Sequence, residues 1–103
     1  MFGVIETPTY LRSIAAFWGD DEAAEFVNFI AASPLAGDVI PGTSKLRKVR
    51  WAAKGHGKRG GVRVIYYWYV ANELITFCRI YPKNEKENLT SDEIKTINDE
   101  LEN

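Results

Sequence analysis

The run VRVIYYWYV at residues 62–70 constrains the fold of this chain more than any other stretch. Its β-branched and aromatic residues favour an extended strand. Because side chains alternate across a strand, Arg63 and every second residue after it share one face, and Val64 and its alternates share the other. The sequence therefore predicts a sheet built around this strand.

Three helices are predicted around that sheet. Thr7 followed by proline begins the first, and Gly19 ends it. Acidic residues from Asp20 begin the second, which ends at a Ser-Pro pair, and the two helices form a hairpin. Thr90 and Glu93 have the spacing of a capping box and begin the last helix.

The remaining strands are predicted from shorter patterns. Residues 2–6 indicate an edge strand, residues 35–44 a connecting loop, and alternation from about Lys48 a further strand. Residues 73–81 return as the partner of the long strand. The order β-α-α-β-β-β-α implies an α+β domain, with helices on one face of a small, largely antiparallel sheet. We expect residues 1–103 to form this single domain.

A cationic segment, Lys45–Arg63, leads into the long strand. It holds 8 of the 13 lysines and arginines and no acidic residue. Positive charge is therefore concentrated in this segment, although the net charge of the chain is only −1. One or two lysines would be ordinary at a sheet edge, but so dense a stripe favours a polyanionic partner, above all RNA or DNA. Its basic residues are Lys45, Arg47, Lys48, Arg50, Lys54, Lys58, Arg59 and Arg63.

Other catalytic chemistries are disfavoured by composition. His56 is the single histidine, which excludes a two-histidine nuclease within one chain and leaves it a weak candidate. No carboxylate lies between Asp38 and Glu73, so we expect neither a metal nor another cofactor. The run GHGKRG at 55–60 matches a dinucleotide-binding pattern, but a strand follows where a helix should begin, so we expect a hairpin loop. Phosphodiester chemistry would then rest on lysine, arginine and tyrosine.

The remaining features point to a cytoplasmic protein. Cys78, the only cysteine, lies among apolar strand residues, so it is predicted to be a buried core residue in a reducing compartment. Glu6 and Pro8 interrupt the apolar run that a secretory signal requires. No window approaches membrane-spanning length, and no membrane contact is expected.

Three runs of sequence carry a family resemblance: GDVIPGT at 37–43, LRKVRWAAKGHGKRGGVRVIYYW at 46–68 and IYPKNEKENLT at 80–90. They resemble the HigB branch of the RelE superfamily of toxins from bacterial toxin–antitoxin systems. The resemblance implies a fold like that of microbial ribonucleases. It also implies ribosome-dependent cleavage of messenger RNA in the A site, without metal, which inhibits translation. A cognate HigA-like antitoxin, with a helix-turn-helix domain, would inhibit the toxin and provide its indirect contact with DNA.

The resemblance also implies roles for individual residues. In the family's reaction the ribose 2′-hydroxyl attacks the neighbouring phosphate and leaves a 2′,3′-cyclic phosphate. Arg63 would contact the phosphate and stabilise its developing charge. Lys48 and Arg50 would orient RNA, Lys83 would be a further catalytic cation, and Tyr81 would position a base or hydroxyl. The implied RNA-binding residues are Lys45, Arg47, Lys54, Lys58, Arg59 and Asn84.

The sequence departs from the RelE pattern at two positions, and two other functions remain as alternatives to the nuclease. RelE itself has an arginine where Asn84 stands and a tyrosine near the last helix, where Leu89 or Thr90 stands, so the general acid and base stay unassigned. A ParE-like toxin would share the fold but inhibit DNA gyrase without cleaving RNA. A non-catalytic RNA-binding module is the other alternative. The basic residues on the expected active face favour the nuclease.

Overall fold

The computed structural model describes residues 3–43, 45–51, 61–69, 73–82 and 88–102. This part of the chain contains five strands and three helices. The strands are β1 (Gly3–Glu6), β2 (Asp38–Val39), β3 (Leu46–Trp51), β4 (Val62–Tyr69) and β5 (Leu74–Pro82), and the helices are α1 (Pro8–Ile14), α2 (Asp20–Ala32) and α3 (Ser91–Glu102). None of the described helices is long and apolar enough to cross a membrane.

All five described strands belong to one sheet, in the order β1-β5-β4-β3-β2. β1 pairs in parallel with β5, and the other neighbours are antiparallel. The prediction of a largely antiparallel sheet with β1 at its edge is confirmed. β2 falls within the predicted loop 35–44, where Asp38 pairs with Lys48 and Val39 with Arg47.

The two faces of the sheet are covered by different helices. Tyr10 of α1 and Phe26 of α2 belong to a buried cluster with Val64 and neighbouring strand residues. Ile97 of α3 packs in a second cluster with Ile65. The helical hairpin is thus confirmed, but the prediction that all helices share one face is wrong for α3. Successive residues of β4 are apolar on both faces, and both must be covered.

The predicted helix starts are confirmed by their capping contacts. The Thr7 hydroxyl donates to the Phe77 carbonyl at 2.8 Å and accepts from the Tyr10 amide at 3.3 Å, so it joins the start of α1 to β5. The Thr90 amide donates to the Glu93 carboxylate at 2.8 Å, and the Glu93 amide donates to the Thr90 hydroxyl at 3.1 Å. The start of α1 is therefore bonded to the sheet, and the start of α3 has a reciprocal capping box.

Two other predictions have different outcomes. α1 ends at Ile14 instead of continuing to Gly19, because the chain tightens into a turn that lets Trp18 pack on Phe26, with ring centroids 5.3 Å apart. Cys78 is a buried core residue, as predicted. Burial raises the pKa of its thiol to about 12, so the reactive thiolate is disfavoured.

Tyr66 fastens the connection between α2 and β2 to the sheet. Its hydroxyl donates to the Pro34 carbonyl at 2.7 Å and accepts from the Gly37 amide at 2.9 Å. A Cβ atom at position 37 would lie 2.9 Å from the Tyr66 hydroxyl and 2.9 Å from the Lys48 carbonyl, so glycine permits this approach.

The Tyr66 hydroxyl provides a test of this anchor. We expect Tyr66→Phe to lower the free energy of unfolding by about 1–3 kcal/mol, because the buried Gly37 amide loses its acceptor. Urea denaturation measures the change. Tyr10→Phe is the matched control, because the Tyr10 hydroxyl is also buried but has no hydrogen-bond partner among the described residues. That variant should be as stable as the wild type or more stable, and equal losses in both would contradict the role of Tyr66.

An ion pair holds α3 against β5. Arg79 donates to both carboxylate oxygens of Glu100, at 2.9 and 2.7 Å. These hydrogen bonds, and then the positive charge of Arg79, lower the pKa of Glu100 although partial burial opposes the shift. Because the pKa of Glu100 is lower in the folded state, the pair stabilises the fold above the unfolded-state pKa. That stabilisation is lost as the pH falls through the folded-state pKa.

Glu100→Gln should therefore show a pH-dependent loss of stability. At neutral pH we expect a loss of up to about 1 kcal/mol, because the pair is partly exposed. The difference in the free energy of unfolding between the variant and the wild type should become smaller as the pH falls below about 5. Urea unfolding at neutral and acidic pH measures this difference, with Glu25→Gln, at an exposed position of α2, as the control. A gap that is the same at every pH would contradict the assignment.

Candidate functional site

Three of the predicted catalytic residues form one row across the sheet. Arg50 of β3 pairs with Arg63 of β4, and Arg63 pairs with Tyr81 of β5. Directly paired residues have Cβ atoms roughly 4.5–5.5 Å apart. Antiparallel pairing therefore brings these three side chains together on the face that α3 partly covers, here called the α3 face.

Lys48 belongs to the next row on the same face. It pairs with Ile65, which in turn pairs with Arg79. The Lys48 Nζ atom donates to the Asn88 amide oxygen at 3.1 Å, so the segment before α3 contacts this part of the sheet. The structure thus places four predicted catalytic residues, Arg50, Arg63, Tyr81 and Lys48, within two adjacent rows.

The members of this site differ sharply in exposure. Arg50 is exposed and Lys48 is half-buried. Arg63 is 1% exposed and Tyr81 is 4% exposed. Arg63 therefore lies on the predicted face, but the expectation that its guanidinium is available at the surface is not met in this conformation. The physical reason is its place on the central strand, between neighbours on both sides.

This burial affects the electrostatics of the site. An arginine keeps its positive charge throughout the physiological pH range. The Arg63 charge lies beneath the surface next to exposed Arg50, and charges in a low-dielectric interior act more strongly than charges in water. The α3 face therefore combines an exposed cation with a second, buried one in the same row.

Arg47 lies on the opposite face, where it stabilises the fold. It pairs with Tyr66 in the sheet. Its Nη1 atom donates to the Gly37 carbonyl at 2.6 Å, and its guanidinium lies 5.5 Å from the centroid of the Trp68 ring. The structure does not bring this predicted RNA-binding residue to the site. Alternation along LRKVRW is the sequence signal for this outcome, since it separates Arg47 from Lys48 and Arg50.

Lys45 lies at the other end of the α3 face, beside a cavity of about 430 Å³. Its Nζ atom is 6.0 Å from the centroid of the Tyr67 ring. The remaining predicted site residues, Lys54, Lys58, Arg59, Lys83 and Asn84, lie outside the described part of the chain, as does His56.

Arg79 and Asn88 contribute to the α3 face without having been predicted. Arg79 is held by Glu100, and Asn88 is the acceptor for Lys48. A single arginine inside the apolar run of β5 was an available signal for the first. Nothing in the local sequence indicates the second, because its contact spans forty residues of chain.

Three solved structures of the E. coli RelE toxin, alone or with its antitoxin, have a fold similar to that of this chain. The structure of a mutant E. coli toxin RelE in the free state has a TM-score of 0.65 and 14% identity, and covers 93% of this chain and 97% of that one. The structure of the isolated E. coli RelE toxin has a TM-score of 0.58 and 11% identity, and the match covers 95% of this chain and 97% of that one. The structure of the intact E. coli RelBE toxin–antitoxin complex has a TM-score of 0.59 and 11% identity, and the match covers 78% of this chain and 94% of that one. At such low identity these similarities establish the fold alone, and they confirm the predicted α+β class.

Family membership follows from the sequence itself. The family described as the RelE toxin of the RelE/RelB toxin–antitoxin system matches residues 36–101, which is more than half of the chain. The matched region contains both cationic rows of the α3 face and all of β3, β4 and β5. The chain therefore belongs to the RelE toxin family.

Proposed function

We propose that this protein is a ribosome-dependent endoribonuclease that cleaves messenger RNA in the A site and thereby inhibits translation. Membership of the RelE toxin family supports a toxin. The observation that carries the nuclease proposal is the juxtaposition of Arg50, Arg63, Tyr81 and Lys48 on one face. The three cations of this group, Arg50, Arg63 and Lys48, suit a phosphodiester that gains negative charge in the transition state.

The proposed reaction needs only the RNA and protein side chains. The ribose 2′-oxygen forms a bond to the adjacent phosphorus, and the bond from phosphorus to the 5′-oxygen breaks. A base accepts the 2′-hydroxyl proton, and an acid gives a proton to the departing 5′-oxygen. The products are a 2′,3′-cyclic phosphate and a 5′-hydroxyl, and no metal is required.

Each described residue has a proposed role in that reaction. Exposed Arg50 and half-buried Lys48 orient the backbone and contact its phosphates. Arg63 stabilises the phosphorane, and direct contact requires that its side chain become exposed when RNA binds. Tyr81 lies beside Arg63 in the row and positions a base or hydroxyl. Lys83 remains the proposed further cation.

The ribosome and an antitoxin are the proposed partners. The ribosome would align the RNA for in-line attack, which lowers the entropic cost of the reaction. E. coli RelE occurs in a complex with its antitoxin, and we propose a cognate antitoxin here. Assignment to the HigB branch, a helix-turn-helix antitoxin and a cytoplasmic location belong to the same proposal.

The proposal predicts a loss of messenger RNA cleavage when the exposed cations are removed. In a cell-free translation reaction, primer extension should detect defined cuts made by the wild type. We expect Arg50→Ala and Lys48→Ala to slow cleavage on the order of 10²-fold, because each removes a cation that orients the RNA backbone and contacts its phosphates. Arg12→Ala is the matched control, since Arg12 is exposed in the last turn of α1 and belongs to neither cationic row.

Arg63 requires a paired design because its side chain is buried. Arg63→Lys retains the charge and Arg63→Ala removes it, and circular dichroism identifies the variants that remain folded. A folded Arg63→Ala variant that cuts like the wild type would contradict the proposed role of Arg63. Uncut messages in wild-type reactions would exclude the nuclease, and inhibition of DNA gyrase by the same protein would support the ParE-like alternative.

A further inference from the structure

We propose that the cavity beside Lys45 is a nucleotide-binding subsite for single-stranded RNA, a proposal that rests on the proposed function. The cavity has a volume of about 430 Å³, within the usual range for small-molecule sites of roughly 300–1,000 Å³. It lies where the start of β3 and the last turns of α3 meet. Its lining residues are Gly42, Thr43, Lys45, Leu46, Tyr67, Asn98 and Leu101.

The lining combines the groups that a nucleotide requires. The Tyr67 ring is half-buried, and the Lys45 Nζ atom lies over it, 6.0 Å from its centroid. A base that stacks on Tyr67 would take the place of this ammonium group, and the exposed Lys45 side chain would then meet the adjoining phosphate. Leu46 and Leu101 supply apolar walls. Planar, apolar and cationic surfaces thus converge on one small volume.

Two polar side chains can distinguish one base from another. Asn98 is exposed in α3, and its amide both donates and accepts hydrogen bonds, as a base edge does. The Thr43 hydroxyl donates its proton to the Ile40 carbonyl at 2.7 Å, so its oxygen remains an acceptor for a further partner. Asn98 is therefore the proposed specificity-determining residue of the subsite.

The cavity is placed correctly for the same RNA strand that enters the site. Lys45 immediately precedes β3, and Arg50 lies five residues further along the chain, a separation of roughly 17 Å at about 3.3 Å per residue. Lys48 lies between them on the α3 face. An RNA strand that follows β3 would present one phosphate to Arg50 and a base, a few nucleotides away, to Tyr67. The subsite would then make cleavage depend on the sequence near the cut.

Nucleotide titration of the isotope-labelled protein tests the subsite directly. AMP, GMP, CMP, UMP and inorganic phosphate are added separately, and amide chemical shifts are followed. We expect saturable shifts near Thr43, Lys45 and Asn98, with at least one nucleotide binding more tightly than phosphate. Asn98→Ala should weaken the tightest nucleotide about tenfold and reduce the differences among bases. Asn28→Ala, an exposed asparagine on α2, is the matched control and should bind like the wild type.

Three results would overturn the proposal. These are the absence of saturable shifts, equal affinity for phosphate and nucleotides, and unchanged binding by Asn98→Ala. Primer extension on translated messages separates this proposal from the nuclease. Nucleotide binding without cleavage by the wild type would overturn the nuclease and support the cavity as a binding site. If Asn98→Ala cuts translated messages at the same positions as the wild type, the subsite proposal is overturned and the nuclease proposal stands.

Discussion

The pairing of β4 with strands on both sides is the constraint on which the rest of the structure depends. Its register with β3 and β5 places Arg63 between Arg50 and Tyr81, and it places Ile65 one row further along. A shift of one residue would move every side chain of β4 to the other face. The apolar residues on both faces oppose such a shift, because those on one face pack under α1 and α2 and those on the other pack under α3. The hydrophobic core therefore also sets the geometry of the cationic rows.

The two faces divide stability and function between them. The face under α1 and α2 contains most of the aromatic core, including the Tyr66 anchor. Arg47 lies on the same face and donates to the Gly37 carbonyl. The α3 face carries the smaller apolar cluster together with the charged rows. Self-repulsion among those cations opposes folding, and the Arg79–Glu100 pair offsets part of it while holding α3 in place. The proposed functional surface thus lies on the side of the sheet that has the smaller apolar cluster.

Burial of Arg63 has a cost that matters for function. A buried charge is favourable only with compensating interactions, and changing its surroundings costs free energy. In the proposed mechanism, RNA binding would have to supply that free energy when Arg63 becomes exposed. Such a requirement would couple the activity of the toxin to substrate that is already positioned, since a phosphate must replace what surrounds Arg63 in the free protein.

The sequence by itself determined the three helices, every described strand except β2, the caps at Thr7 and Thr90, the buried state of Cys78 and the face to which Arg63 points. These are local properties, because they follow from alternation, capping chemistry and apolar runs. Only the tertiary structure decided that α3 covers the second face, that Arg63 is buried and that Lys48 meets Asn88. The reason is physical: burial and contact between distant segments depend on which surfaces pack together. Short-range patterns specify surfaces without specifying their partners.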